Sequence, residues 1–140
     1  SDVCLDADDA VLIAALARAL VETSARDWRL GKAPEPVPVA TLRLAAWQAS
    51  RWGIEDDLLH PVTGTPRPAA DVVDLLLEHV GDALADYGDD VQVQRLHGQL
   101  RARGTGARQQ RDALERTGSL EGMVAEAVRL THPQRLARKA

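Results

Sequence analysis

The run AVLIAALARALV, residues 10–21, constrains this chain more than any other stretch, because Arg18 is its only polar residue. A helix on a protein surface shows one apolar stripe, whereas a helix apolar on nearly every side is buried on nearly every side. The run is too short to cross a bilayer, which takes about 20 apolar residues. It predicts a central helix over residues 6–28 with other elements packed on several of its faces. Asp6 suits the N-cap, and Asp8 and Asp9 then fall in the first turn, where negative charge favours the helix dipole. After Val21 the sequence turns polar, so that end of the helix emerges into water.

The rest of the chain is also read as mainly α. Apolar residues make up 45% of the 140, yet Phe is absent and Tyr occurs once; Leu, Ala and Val supply the apolar content, which suits helix packing. A net charge of −4 argues against a dedicated nucleic-acid binder, whose domain is usually strongly basic. The lone Cys4 excludes an internal disulfide and fits a reducing, cytoplasmic setting; it reads as a small buried residue. Neither a signal peptide nor a lipidation motif is visible, so no membrane partner is expected. The start at Ser1, with no Met and almost no lead-in, reads as that of a fragment or of a chain whose leader has been removed.

Three prolines within residues 31–38 forbid a continuous helix and mark a connector. Residues 39–52 read as a second helix, with Leu42, Ala45, Ala49 and Trp52 on one side, Leu44, Trp47 and Arg51 on another, and Gly53 as its stop. Residues 54–68 read as a small β-hairpin or extended loop, and residues 69–87 as a third helix stopped by Gly88. A fourth helix, capped by Asp89 or Asp90, runs to about Arg103, where Gly104-Thr105-Gly106 breaks it. A fifth covers residues 107–116, and a sixth, capped by Ser119, carries Leu120, Met123, Val124, Ala127 and Val128 at helical spacing. Residues 1–132 form this helical portion and residues 133–140 a basic tail.

Two stretches carry possible chemistry. Arg51 shares a helix face with Leu44 and Trp47, so two readings stay open: a guanidinium stacked on Trp or paired with an acid, or an anion ligand for substrate or nucleotide. Residues 91–111 hold Arg95, Arg101, Arg103, Arg108 and Arg111 and no Asp or Glu. Within them, Gly104, Thr105 and Gly106 lead into a helix N-terminus, where free N–H groups favour an anion. Together with Arg108 and Arg111 they form a possible phosphate cradle, against the alternative of a plain helix–helix turn with solvated arginines. No P-loop or dinucleotide fingerprint is present. The four histidines are scattered without ligand spacing, and Glu78, Asp82, Asp86, Asp89 and Asp90 read as a solvated face, so no metal ligand is assigned.

At these residues the chain resembles a known family. Trp47-Gln48-Ala49-Ser50-Arg51-Trp52-Gly53-Ile54, then His60-Pro61-Val62-Thr63-Gly64 and Arg67-Pro68, resembles the C-terminal part of the bacterial carboxylate–amine ligases, or type 2 glutamate–cysteine ligases. Asp2-Val3-Cys4-Leu5-Asp6-Ala7-Asp8-Asp9-Ala10 is similar to the segment following that family's Glu-x-Arg strand. Gly104-Thr105-Gly106-Ala107-Arg108-Gln109-Gln110-Arg111 is similar to its Gly-x-Gly-Ala-x-x-Gln-Arg stretch, and the match runs from about Asp2 to His132. Two departures stand out: Ala45-Ala46 where the family often has Asn and a basic residue, and His60 where it usually has Asp.

The resemblance implies the helical C-terminal portion of a glutamine-synthetase-like α/β ligase fold: about six helices plus a small β-hairpin. It implies an ATP-dependent ligase that phosphorylates the γ-carboxylate of glutamate and passes the acyl group to an amine such as cysteine, in a glutathione-type biosynthesis. ATP and magnesium serve the parent enzyme, and the family's magnesium-binding carboxylates lie on N-terminal strands that these residues do not include. The chain alone is then expected to bind neither tightly and to be inactive. Its partner is the missing N-terminal ligase portion, or a second copy met through an apolar face. Arg51 is assigned a catalytic role, and Gly104, Thr105, Gly106, Arg108 and Arg111 the nucleotide. The alternative is a free-standing, non-catalytic helical interaction module.

Overall fold

A computed structural model describes residues 4–131. The basic tail expected over residues 133–140, and the first residues of the family-like start, lie outside them. Seven helices and one two-stranded sheet occur among the described residues: α1 (Ala7–Arg29), α2 (Val39–Trp52), β1 (Asp57–Leu59), β2 (Pro66–Pro68), α3 (Ala69–His79), α4 (Gly81–Tyr87), α5 (Asp90–Arg103), α6 (Gly106–Thr117) and α7 (Leu120–Thr131). The mainly helical architecture with a small hairpin is as expected. The one helix read over residues 69–87 is two. Val80 takes φ −99° and ψ 2°, which leaves the helical region just before Gly81, a poor helix former.

The chain divides into two compact units, residues 16–90 and residues 1–15 with 91–140, the boundary falling within α1. In the first, β1 and β2 pair antiparallel with Leu58 opposite Arg67, and the hairpin packs against α2 and α3. Ala19, Ala69, Val80, Ala83 and Leu84 are its buried apolar residues. Arg18 is no stray polar residue in an apolar run: its guanidinium stacks 4.5 Å from the centre of the Tyr87 ring and pairs with Asp89. Arg26 donates to Glu22 at 2.8 Å and to Asp86 at 2.7 Å, tying α1 to α4. Asp86 and Asp89, expected on a solvated face, therefore each hold an arginine.

In the second unit α6 and α7 pack on one another, and Leu12, Val93, Leu96 and Ala113 are buried. Asp6 caps α1 as expected, its carboxylate accepting the Asp8 N–H at 2.9 Å. The Ser119 hydroxyl accepts the Gly122 N–H at 3.0 Å at the start of α7.

The expectation for the apolar run fails. The apolar run is not buried on nearly every side: among its large residues only Leu12 is buried, while Ile13 is 59% and Val21 71% exposed. Each unit buries one residue of the run, Ala19 in the first and Leu12 in the second. Cys4 is half-buried rather than buried.

Candidate functional site

The residues expected to carry chemistry fall in the two different units. Arg51 belongs to residues 16–90, and Gly104, Thr105, Gly106, Arg108 and Arg111 to the other.

Arg51 lies in the last turn of α2, a helix without a single buried residue. Its guanidinium stands 5.2 Å from the centre of the Trp52 ring, a cation–π distance. No carboxylate among the described residues pairs with it. Of the two readings left open by the sequence, stacking on Trp is observed and pairing with an acid is not. Stacking fixes the plane of the fork while leaving its N–H donors able to meet an anion. The hairpin braces α2 from the side, because Gln48 Nε2 donates to the Asp57 carbonyl at 2.8 Å. Trp47, one turn before Arg51, is 58% exposed.

The α5–α6 junction is built around a helix start. Gly104 has φ +80°, a left-handed value open to glycine at little cost, and it ends α5. A Cβ there would meet Arg108 Cδ at 2.7 Å, so the Arg108 stem folds back over Gly104. Thr105 caps α6: its hydroxyl accepts the Arg108 N–H at 3.2 Å, and its carbonyl accepts the Gln109 N–H at 3.0 Å. That arrangement leaves the N–H groups of Gly106 and Ala107 as the unspent donors of the first turn. Both residues line a cavity of about 430 Å3 with Cys4, Leu5, Asp9, Leu12, Leu100 and Thr105 among its walls. Leu5 lies close over Gly106, 3.3 Å from where a Cβ would sit, which favours glycine at that wall.

Arg108 faces Asp112 at 4.0 Å, both exposed, a contact worth little in water. Arg103 is turned elsewhere, to Asp9 and, at 3.5 Å, Asp6 beside the start of α1. Asp9 lines the same cavity, so this arginine balances a carboxylate in the cavity wall. The clustering of Arg103 with Asp6 and Asp9 had no signal in the sequence, being a contact across more than ninety residues.

The donor set at α6, two free N–H groups with Arg108 and Arg111 on the same helix, fits an anion such as phosphate. Magnesium does not fit: no group of three or more His, Cys, Asp or Glu among the described residues is arranged to hold a metal ion. No described helix is long and apolar enough to cross a membrane. Sequence reasoning also missed a cavity lined by His60, Arg67, Asp71, Asp74, Leu75 and Glu78. The signal available was the spacing of Asp71, Asp74 and Glu78, which share one helix face.

A family model, glutamate–cysteine ligase family 2, matches residues 1–130. A protein of Streptomyces avermitilis, named as a candidate glutamate–cysteine ligase 2-1, is 58% identical over 131 residues, covering 94% of this chain and 36% of the relative. A candidate glutamate–cysteine ligase 2 of Streptomyces coelicolor is 54% identical, with the same coverage of each chain. One from Paenarthrobacter aurescens is 46% identical over 94% of this chain and 34% of its own length. The chain thus spans about a third of the length of these curated relatives. No solved structure matches it. With a family model covering nearly all of its length, this chain belongs to the glutamate–cysteine ligase family 2.

Proposed function

We propose that this chain is the helical C-terminal portion of an ATP-dependent carboxylate–amine ligase of the glutamate–cysteine type, and that alone it is catalytically incomplete. When bound, ATP supplies the phosphoryl group that turns the side-chain carboxylate of glutamate into an acyl phosphate. The amine of a substrate such as cysteine then forms the C–N bond as phosphate leaves. Arg51 meets the negative charge of the transferring group. The N–H groups of Gly106 and Ala107, with Arg108 and Arg111, hold a phosphate. The carboxylates that bind magnesium come from another part of the protein.

What supports the reading most is Arg51 itself: exposed at the end of α2, stacked on Trp52, and paired with no carboxylate of the described residues. A guanidinium held that way is preorganised for an anion from outside. The uncovered apolar faces of α1 and α2 support incompleteness, since patches of this kind mark interaction surfaces. They take the rest of the ligase or, in its absence, a second copy of the chain. The same faces are what a non-catalytic interaction module would use.

The test is ADP release dependent on glutamate and cysteine. The 140-residue chain is expected to give none. A chimera carrying this chain in place of the matching third of an active relative is expected to restore it. Arg51→Ala in that chimera is expected to lower kcat by about a hundredfold, the scale of one lost donor to a developing charge. Turnover by the chain alone, or an inactive chimera beside an active relative, overturns the proposal.

A further inference from the structure

The turn that joins β1 to β2 is closed by a side chain that titrates. His60 Nδ1 accepts the N–H groups of Val62 and Thr63, each at 3.2 Å. These donors stand two and three residues on, where the cap residue of a helix finds the N–H groups it satisfies. Pro61, between them, has no N–H to satisfy, and its ring fixes φ for a first turn. The backbone completes the loop: the Gly64 N–H donates to the His60 carbonyl and the His60 N–H to the Thr65 carbonyl, both at 2.9 Å.

Caps are ordinarily oxygens of Asp, Asn, Ser or Thr, which accept throughout the range pH 5–8. An imidazole nitrogen accepts only while it carries no proton, and histidine is the side chain whose charge changes in that range. With Nδ1 accepting, the neutral ring holds its proton on Nε2. A proton from water that bonds to Nδ1 takes the lone pair which both N–H groups share, so the two hydrogen bonds are lost together.

The surroundings say where the charged ring goes. His60 is half-buried and lines a cavity with Arg67 of β2 and with Asp71, Asp74 and Glu78 of α3. From α2 the turn meets Thr41, which does not titrate; its methyl lies 3.5 Å from where a Cβ on Gly64 would sit. The imidazolium is thus repelled by the turn N–H groups and by Arg67, and drawn towards the carboxylates of α3. Each strand of the hairpin has three residues, and β2 is Pro-Arg-Pro, which offers one backbone N–H. So short a pair depends on its turn.

From this geometry we infer that His60 is a proton-operated latch: neutral, it closes the turn over residues 60–65; protonated, it releases the turn and loosens the hairpin's brace on α2. The latch stands or falls separately from the ligase reading.

The test is a pH titration of the 15N-labelled chain from 8 to 5. At pH 8 the ring nitrogens of His60 are expected to show the Nε2–H tautomer. Protection of the Val62, Thr63 and Gly64 amides from exchange, relative to an unstructured peptide at the same pH, is expected to fall about tenfold, the scale of one or two hydrogen bonds. The fall follows the titration of the His60 ring, and the side-chain amide signals of Gln48, which donates to the Asp57 carbonyl, move with it. His60→Asp, whose carboxylate is ionised above about pH 5, is expected to keep its protection across the range. His60→Ala is expected to lack it at both ends. A Nδ1–H tautomer at pH 8, wild-type protection or Gln48 signals indifferent to the His60 titration, His60→Asp losing protection as the wild type does, or His60→Ala keeping it overturns the inference.

Discussion

Helices α2 and α5 are each fourteen residues long and invert the usual relation between apolar content and burial. α2 carries Val39, Leu42, Leu44, Trp47 and Trp52 and buries none of its residues. Half of α5 is Gln, Arg and His, yet it buries Val93 and Leu96. Val91 of α5 is exposed, but its Val93, Leu96 and Leu100 sit at i, i+3 and i+7, one stripe that its unit can cover. Those of α2 spread around the helix, and the hairpin braces only one side. A residue is buried by what lies opposite it, not by its own hydropathy. Apolar residues with nothing opposite mark a surface made for something else.

The sharpest way to break this comparison is to truncate a leucine in each helix. Leu96→Ala is expected to cost about 2–5 kcal/mol in urea unfolding, because it empties a filled site. Leu42→Ala, on the uncovered helix, is expected to change stability by less than about 0.5 kcal/mol. A large loss at Leu42 would show that α2 is covered after all. Next in size is Thr105→Ala, which removes the cap of α6 and is expected to cost about 1 kcal/mol by the same measurement.

Smaller in free energy, but direct, is the response of α2 to crowding by its own kind. Raising the chain concentration is expected to shift tryptophan emission to the blue as Trp47 and Trp52 become covered, and Trp47→Ser is expected to remove most of the shift. A spectrum independent of concentration would dispose of self-association. The smallest effect is electrostatic. The hydrogen bond from Arg26, reinforced by the charges of Arg26 and Arg29, holds the Glu22 carboxyl below its ordinary value of 4.5. A carboxyl lowered in the folded state stabilises above its unfolded pKa, and that contribution fades as pH falls through the lowered value. Glu22→Gln is therefore expected to leave stability near pH 3 almost unchanged and to lower it slightly at neutral pH, as read by thermal unfolding across that range. Glu126, lowered by Arg129, behaves likewise in the other unit.

Much of the local structure was legible beforehand. The limits of α2 and the stops at Gly53 and Gly88 follow from spacing and from glycine at positive φ. Asp6 and Ser119 could be placed because caps act within three residues. The break at Val80 was not legible, since Leu76, Leu77, Val80 and Leu84 keep the helical period through it; a change of ψ at one residue leaves no mark on such a pattern. Of the candidate site, Arg51 and the Gly104–Arg111 stretch were singled out from residue type alone. The cavity at His60, Arg67 and α3 was not, because its two walls are separate motifs in the sequence and meet only when the hairpin folds back on the helix.

What the sequence determined by itself is which segments are helical, where they start and stop apart from the break at Val80, and which family the chain resembles, because each rests on neighbours a few residues apart. What only the tertiary structure decided is who faces whom: that Arg51 has no acid of the described residues beside it, that Arg103 turns to Asp6 and Asp9, and that an apolar run as dense as residues 10–21 shows Ile13 and Val21 to solvent. Hydropathy states what a side chain favours; whether it is met depends on residues far along the chain, or on another part of the protein altogether.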